Sequence, residues 1–127
     1  MPIWTFVDYV EASGRNPFAD WMDEIPWDAK VRINGRFTQM IPKEWWPEKW
    51  VSTYKGYTGI LEARITFKKV QYRPLFMRSI KAEGQLVLLS GAIEKGGKIP
   101  KSTMDAAADR REVIIRESNR VIRHKFS

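Results

Sequence analysis

Residues 59–111 read GILEARITFKKVQYRPLFMRSIKAEGQLVLLSGAIEKGGKIPKSTMDAAADRR, and the sheet of the protein is written in them. The stretch holds three apolar-rich runs in a row, at 60–67, 70–80 and 85–93. Each is short, β-rich and bounded by Lys-Lys, Ala-Glu-Gly or Lys-Gly-Gly, the pattern of consecutive antiparallel strands. In the first run Leu61, Ala63, Ile65 and Phe67 alternate with Glu62, Arg64 and Thr66, so one face is apolar and the other polar. Arg73 stands among apolar neighbours in the second run and is expected to emerge on a sheet face or at its rim. Pro74 beside it cannot donate to a ladder, which calls for an edge or a bulge there. The predicted sheet has one greasy face and one arginine-bearing face.

On the N-terminal side, residues 3–9 form a β-branched and aromatic run that reads as a first strand. Asn16-Pro17 supplies a cap and a first-position proline for a short helix ending near Asp23 or Glu24, which should bury Phe18, Trp21 and Met22. Residues 27–41 suit a second helix, weakened by Gly35, and the two make a helical hairpin. Beyond the meander, Ser102 or Thr103 opens a long helix to about residue 122, with Asp105 in its first turn. Between hairpin and meander, KEWWPEKWVSTYKGYTG (43–59) interleaves Trp45, Trp46, Trp50, Tyr54 and Tyr57 with Lys43, Lys49 and Lys55. That mixture suits stacking on bases and contact with phosphates. The usual burial of tryptophan favours the other reading, in which the rings cover the open side of the sheet. The expected fold is a single α+β domain over residues 1–127. It has an N-terminal strand, a short helical hairpin, a three-strand antiparallel meander completing a small twisted sheet, and a C-terminal helix packed on it.

The absence of cysteine excludes disulfides and thiolate metal sites. The single histidine, His124, lies near the C-terminus and argues against a histidine-based metal or catalytic cluster; no metal and no cofactor are expected. No apolar run approaches membrane-spanning length and no signal-peptide pattern opens the chain, so the expectation is a soluble cytoplasmic protein without a membrane partner. The net charge of +7 is unevenly spread. Residues 1–31 hold six acids and two bases, residues 32–101 fourteen bases and five acids, and the last 26 residues six bases and four acids. Most of the positive charge accompanies the sheet and its approach, which points to a polyanion; the alternative is a generic basic surface.

Four pieces carry a resemblance when taken in order: Leu61-Glu62-Ala63-Arg64-Ile65, Tyr72-Arg73-Pro74-Leu75-Phe76, Val87-Leu88-Leu89-Ser90-Gly91-Ala92, and Lys95 followed by Lys98-Ile99-Pro100-Lys101. A final helix with Arg110-Arg111 follows them. This succession resembles the RelE/HigB superfamily of bacterial type II toxins, especially its phage-derived Gp49-like branch. The resemblance covers residues 59–111, and the first half of the chain in layout. It implies a small α+β endoribonuclease that cleaves mRNA on the ribosome without a metal, the ribose 2′-hydroxyl attacking the adjacent phosphate. It also implies a cognate antitoxin, typically a small helix-turn-helix protein, that covers the basic face.

Carried over by residue, the resemblance makes Arg73 the arginine facing the scissile phosphate and Arg64 a phosphate-holding residue, with Glu62 beside it in the catalytic set. A guanidinium fork matches two phosphate oxygens. Lys95, Lys98 and Lys101 match the basic loop that meets RNA, and Lys68 and Lys69 join that set. Structural alternatives are a strand Arg73 paired with Glu62 and an ordinary solvated lysine loop. Asp105 falls where some such toxins carry a tyrosine, which leaves Glu62, Glu94 or a lysine of lowered pKa as the base. Two other functions stay open on the same fold: a non-catalytic RNA-, ribosome- or protein-binding module, and a gyrase inhibitor of the ParE type.

Overall fold

The computed structural model describes residues 3–126. Its elements in chain order are β1 (Thr5–Tyr9), α1 (Pro17–Glu24), α2 (Trp27–Met40), β2 (Val51–Thr53), β3 (Leu61–Ala63), β4 (Ile65–Phe67), β5 (Val70–Arg78), β6 (Gln85–Ile93), α3 (Lys101–Arg116) and β7 (Val121–Arg123). The fold is α+β, with three helices and a seven-stranded mixed sheet in the order β2-β3-β5-β6-β1-β7, β4 also pairing with β5. The meander is its centre. β1 enters parallel to β6, and every other pairing is antiparallel.

The first run is two strands rather than one, broken at Arg64. There the Arg64 N–H leaves the β5 ladder and donates to Trp50 O at 2.7 Å. Pro74 of β5 lies opposite this break, between the stretch that pairs with β4 and the stretch that pairs with β3. On the other side of β5 the β6 register slips between Leu75 and Phe76. A proline in a central strand is thereby accommodated by an opening on one flank and a bulge on the other.

Both faces of the sheet carry an apolar core, where the expectation was one greasy face and one arginine-bearing face. The α1–α2 hairpin seals one face around Phe6, Phe18, Ile33, Phe37 and Phe76, with the Phe6 and Phe37 rings 4.4 Å apart. Burying each such side chain contributes about 1.5–3 kcal/mol. The second face packs Val7, Leu75, Val87 and Leu89 against Met104, Ala107 and Ile114 of α3. The far end of this second face, where Gln71 and Arg73 lie, is polar.

Asn16 caps α1, its side-chain oxygen accepting from Ala19 N at 3.0 Å, and Pro17 takes the first helical position as expected. Phe18 and Met22 are buried and Trp21 is half-buried. The last helix differs from expectation. It starts at Lys101 after Pro100, carries no acidic residue in its first turn, and ends at Arg116 instead of near 122. The chain then turns, with Arg120 N donating to Glu117 O, and Val121–Arg123 pairs with β1 as an edge strand. The aromatic stretch divides. Trp46 is buried, Trp50 is half-buried, and Trp45 is 73% exposed. Among the described residues no helix is long and apolar enough to cross a membrane.

Candidate functional site

The polar end of the sheet follows from the period of two. Thr66 stands opposite Gln71 and Arg73 opposite Ala92. Gln71 and Arg73 therefore share a face, and the small Ala92 leaves room for the guanidinium. Thr66 Oγ1 donates to Gln71 Oε1 at 2.7 Å, and Arg73 Nη2 donates to the same oxygen at 3.0 Å. Arg73 Nε donates to Glu94 Oε1 at 3.2 Å, and Nη1 donates to Tyr72 O at 3.0 Å. Next to this chain of contacts, Arg64 Nη1 donates to Glu62 Oε1 at 3.1 Å, and Ser52 Oγ donates to the same carboxylate oxygen at 3.1 Å.

Thr66, Gln71, Arg73 and Arg64, with Glu48 and Lys49, line an open pocket of about 550 Å³. The two predicted arginines converge on it, but in different states. Arg64 keeps 41% of its side chain exposed and faces solvent. Arg73 is 2% exposed, which corrects the expectation that it emerges on a free face or rim. Its partner is Glu94 rather than Glu62, which pairs with Arg64. Three of its five N–H donors are committed, and it offers an anion only a partial fork at the pocket floor. Glu62 is buried, and its Oε2 has no hydrogen-bond partner. Three cations (Lys49, Arg64, Arg73) and three carboxylates (Glu48, Glu62, Glu94) thus lie in or behind the pocket, so the charges balance and an anion would enter only by taking over a carboxylate's contact.

None of the five predicted RNA-binding lysines lines this pocket. Lys68 and Lys69 form the β4–β5 turn, both at positive φ (50° and 67°), and Lys68 Nζ lies 3.9 Å from Asp28. Lys95 and Lys98 are exposed and bridge each other's backbone across Gly96 and Gly97, whose positive φ the tight turn requires. Lys101 is tied to Asp105 at 2.7 Å, and Tyr57 Oη donates to the same carboxylate at 2.7 Å. Hydrogen bonds from Lys101 and then Tyr57 hold the Asp105 carboxyl below its ordinary value, and the same bonds raise both donors.

Sequence reasoning missed Gln71 and Thr66, although their spacing from Arg73 and Arg64 put them on the same face. It also missed a buried polar cluster. His124 Nδ1 lies 2.9 Å from Asp8 Oδ1, and its Nε2 lies 2.8 Å from Asn34 Oδ1. Asn16 Nδ2 donates to Asp8 Oδ2 at 2.8 Å. Both ring nitrogens thus have a partner, and the imidazole fastens the residue after β7 to β1 and α2. No protein-family model matches the chain, and no curated protein matches it significantly.

Proposed function

We propose that the protein is a RelE/HigB-like toxin: an endoribonuclease that acts without a metal on mRNA at the ribosome and is silenced by an antitoxin. The observation that carries this reading is the convergence of Arg64, Arg73 and Lys49 on one open pocket, with Glu62 and Glu94 behind them. In the proposed step the exposed Arg64 holds the non-bridging oxygens of the scissile phosphate, and Arg73, fixed by Glu94, orients it from the floor. The 2′-oxygen attacks phosphorus as the bond to the 5′-oxygen breaks. A carboxylate takes the 2′-proton, Glu94 being the more exposed of the two at 19% against 5%. Lys49 returns a proton to the leaving oxygen. The order of strand, helical hairpin, meander and terminal helix is the layout that the resemblance implies. The cognate antitoxin would present an acidic segment to Arg64, the Arg73 edge and the 95–101 loop. Replacing Lys95, Lys98 and Lys101 by Glu should weaken its binding, measured by titration calorimetry.

A second reading rests on the near balance of cations and carboxylates and on the enclosure of Arg73: a module that binds RNA or ribosome without cleaving. Induction in bacteria, followed by mapping of mRNA 5′ ends, separates the two. New 5′ ends and growth arrest are expected from the parent chain. Arg64→Ala should reduce cleavage about 10²–10³-fold, the usual loss for one electrostatic group at a reacting centre. Ribosome association without new 5′ ends would favour the second reading.

A further inference from the structure

Trp45 is 73% exposed, although the two residues that follow it are fixed. Trp46 next to it is buried and donates from Nε1 to Met40 O at 3.0 Å, while Pro47 fixes the backbone that follows. Trp45 lines a cleft of about 310 Å³ with Lys43, Glu44, Pro47 and Trp50. That is the small end of the range for ligand pockets, roughly 300–1,000 Å³. The opposite wall, Trp50, is polarised by cations. The Arg36 guanidinium lies 4.5 Å from its ring centre and Lys43 Nζ lies 5.9 Å away. Burial, then the charge of Arg32, lowers the Arg36 pKa, and Arg36 Nε has no hydrogen-bond partner.

The cleft and the polar pocket meet around the edge of the sheet, Trp50 packing with the core under α2 and Gln71 and Arg73 lying on the other face. Trp50 O accepts from Arg64 N at 2.7 Å and Arg36 Nη1 donates to Arg64 O at 3.0 Å, which ties the two sides together at this edge. An aromatic wall beside a cationic pocket matches a chain that alternates planar rings with phosphates. Lys43, Lys49, Arg64 and Arg73 line the pair of hollows against Glu44 and Glu48, with Glu62 and Glu94 paired to the two arginines behind them.

We infer that the cleft between Trp45 and Trp50 is a stacking subsite for one unpaired base of single-stranded RNA, next to the nucleotide whose phosphate meets Arg64. This rests on the RNA reading of the polar pocket. Stacking on an aromatic residue is sequence-tolerant, so the subsite holds the strand in place without selecting the base.

The test is binding of a fluorescently labelled single-stranded RNA decamer to the full chain by anisotropy. The decamer is used intact and in a series carrying one abasic position. Trp45→Ala should weaken the intact decamer about 5- to 150-fold, and Trp45→Phe should keep most of the affinity. One position in the abasic series should weaken the parent by a similar factor and leave Trp45→Ala unaffected, a pattern that a purely structural role does not produce. Both variants should melt at the parental temperature, since the ring is exposed. Parental affinity in Trp45→Ala, or an abasic penalty that persists in it, would overturn the subsite. If Arg64→Ala is weakened in the same assay, the RNA reading survives that failure. Absence of decamer binding by the parent would overturn both. A duplex RNA of the same sequence, with no base free to stack, should not distinguish parent from Trp45→Ala, and a difference there would also overturn the stacking assignment.

Discussion

Arg73 carries a full charge into a site 2% exposed, and three acceptors receive it: Glu94, Gln71 and the Tyr72 carbonyl. Removing one member of a buried ion pair leaves the other without compensation, typically at about 3–5 kcal/mol. Glu94 retains 19% exposure, so Arg73→Ala is expected near the lower end, about 3 kcal/mol, by urea denaturation. Arg73→Met combined with Glu94→Gln removes both charges and should lose less than Arg73→Ala alone. Equal losses would mean that the pair contributes nothing as a pair. The exposed Tyr57–Asp105–Lys101 group makes a smaller, pH-bounded contribution. Asp105 is depressed below 3.8, so its share is present above that value and fades as pH falls through its lower folded value. Lys101 and Tyr57 are raised above 10.5 and 10.0, so their share is present below these values and fades as pH rises past them. Melting temperatures of the parent and Asp105→Asn should therefore differ by a constant amount between those limits and converge outside them. Salt should shrink the whole difference, because these groups face solvent.

At the scale of elements, β7 hangs on one side chain. Its three residues pair with β1, and His124 then locks the strand to Asp8 of β1 and Asn34 of α2. His124→Ala would leave the buried Asp8 carboxylate with Asn16 alone, a loss of about 2–3 kcal/mol. Hydrogen exchange should place the damage locally, with protection lost at residues 121–124 and kept in β5 and β6. This strand was illegible in the sequence for a physical reason. Val121 and Ile122 continue the spacing of the preceding helix, and three residues are too few to reveal a period of two. The meander was legible because Leu61 to Phe67 alternate over seven residues and every turn carries its own residues. The α1 start was legible because Asn16-Pro17 is a complete local signal. The Arg73–Glu94 pair was not, because it depends on the β5–β6 register, which a bulge resets beside Leu75. The parallel entry of β1 beside β6 depends on a crossover that no local pattern encodes. Trp45 and Trp46 look alike in sequence and differ only in which way an irregular turn sends them.

For the whole molecule, the covered faces of the sheet decide where a polyanion can lie. The acidic corner sits on α1 and the start of α2, with Asp20, Asp23, Glu24 and Asp28, and would repel it. Two of the five predicted RNA-binding lysines are engaged, Lys68 with Asp28 and Lys101 with Asp105, as Arg64 is with Glu62. Lys43, Lys49, Arg64, Lys95 and Lys98 remain exposed or partly exposed. If these five cations each meet one phosphate of single-stranded RNA, counterion release sets a log–log salt slope of about −3.5. Anisotropy titrations across about 50–200 mM salt should then show affinity falling more than a hundredfold. Arg64→Ala should flatten the slope by about 0.7. A slope near zero would remove nucleic acid from the list of partners. A slope steeper than about −5 would mean that RNA also strips Lys68 and Lys101 from their carboxylates, and that the bound strand runs past the pocket onto both neighbouring loops.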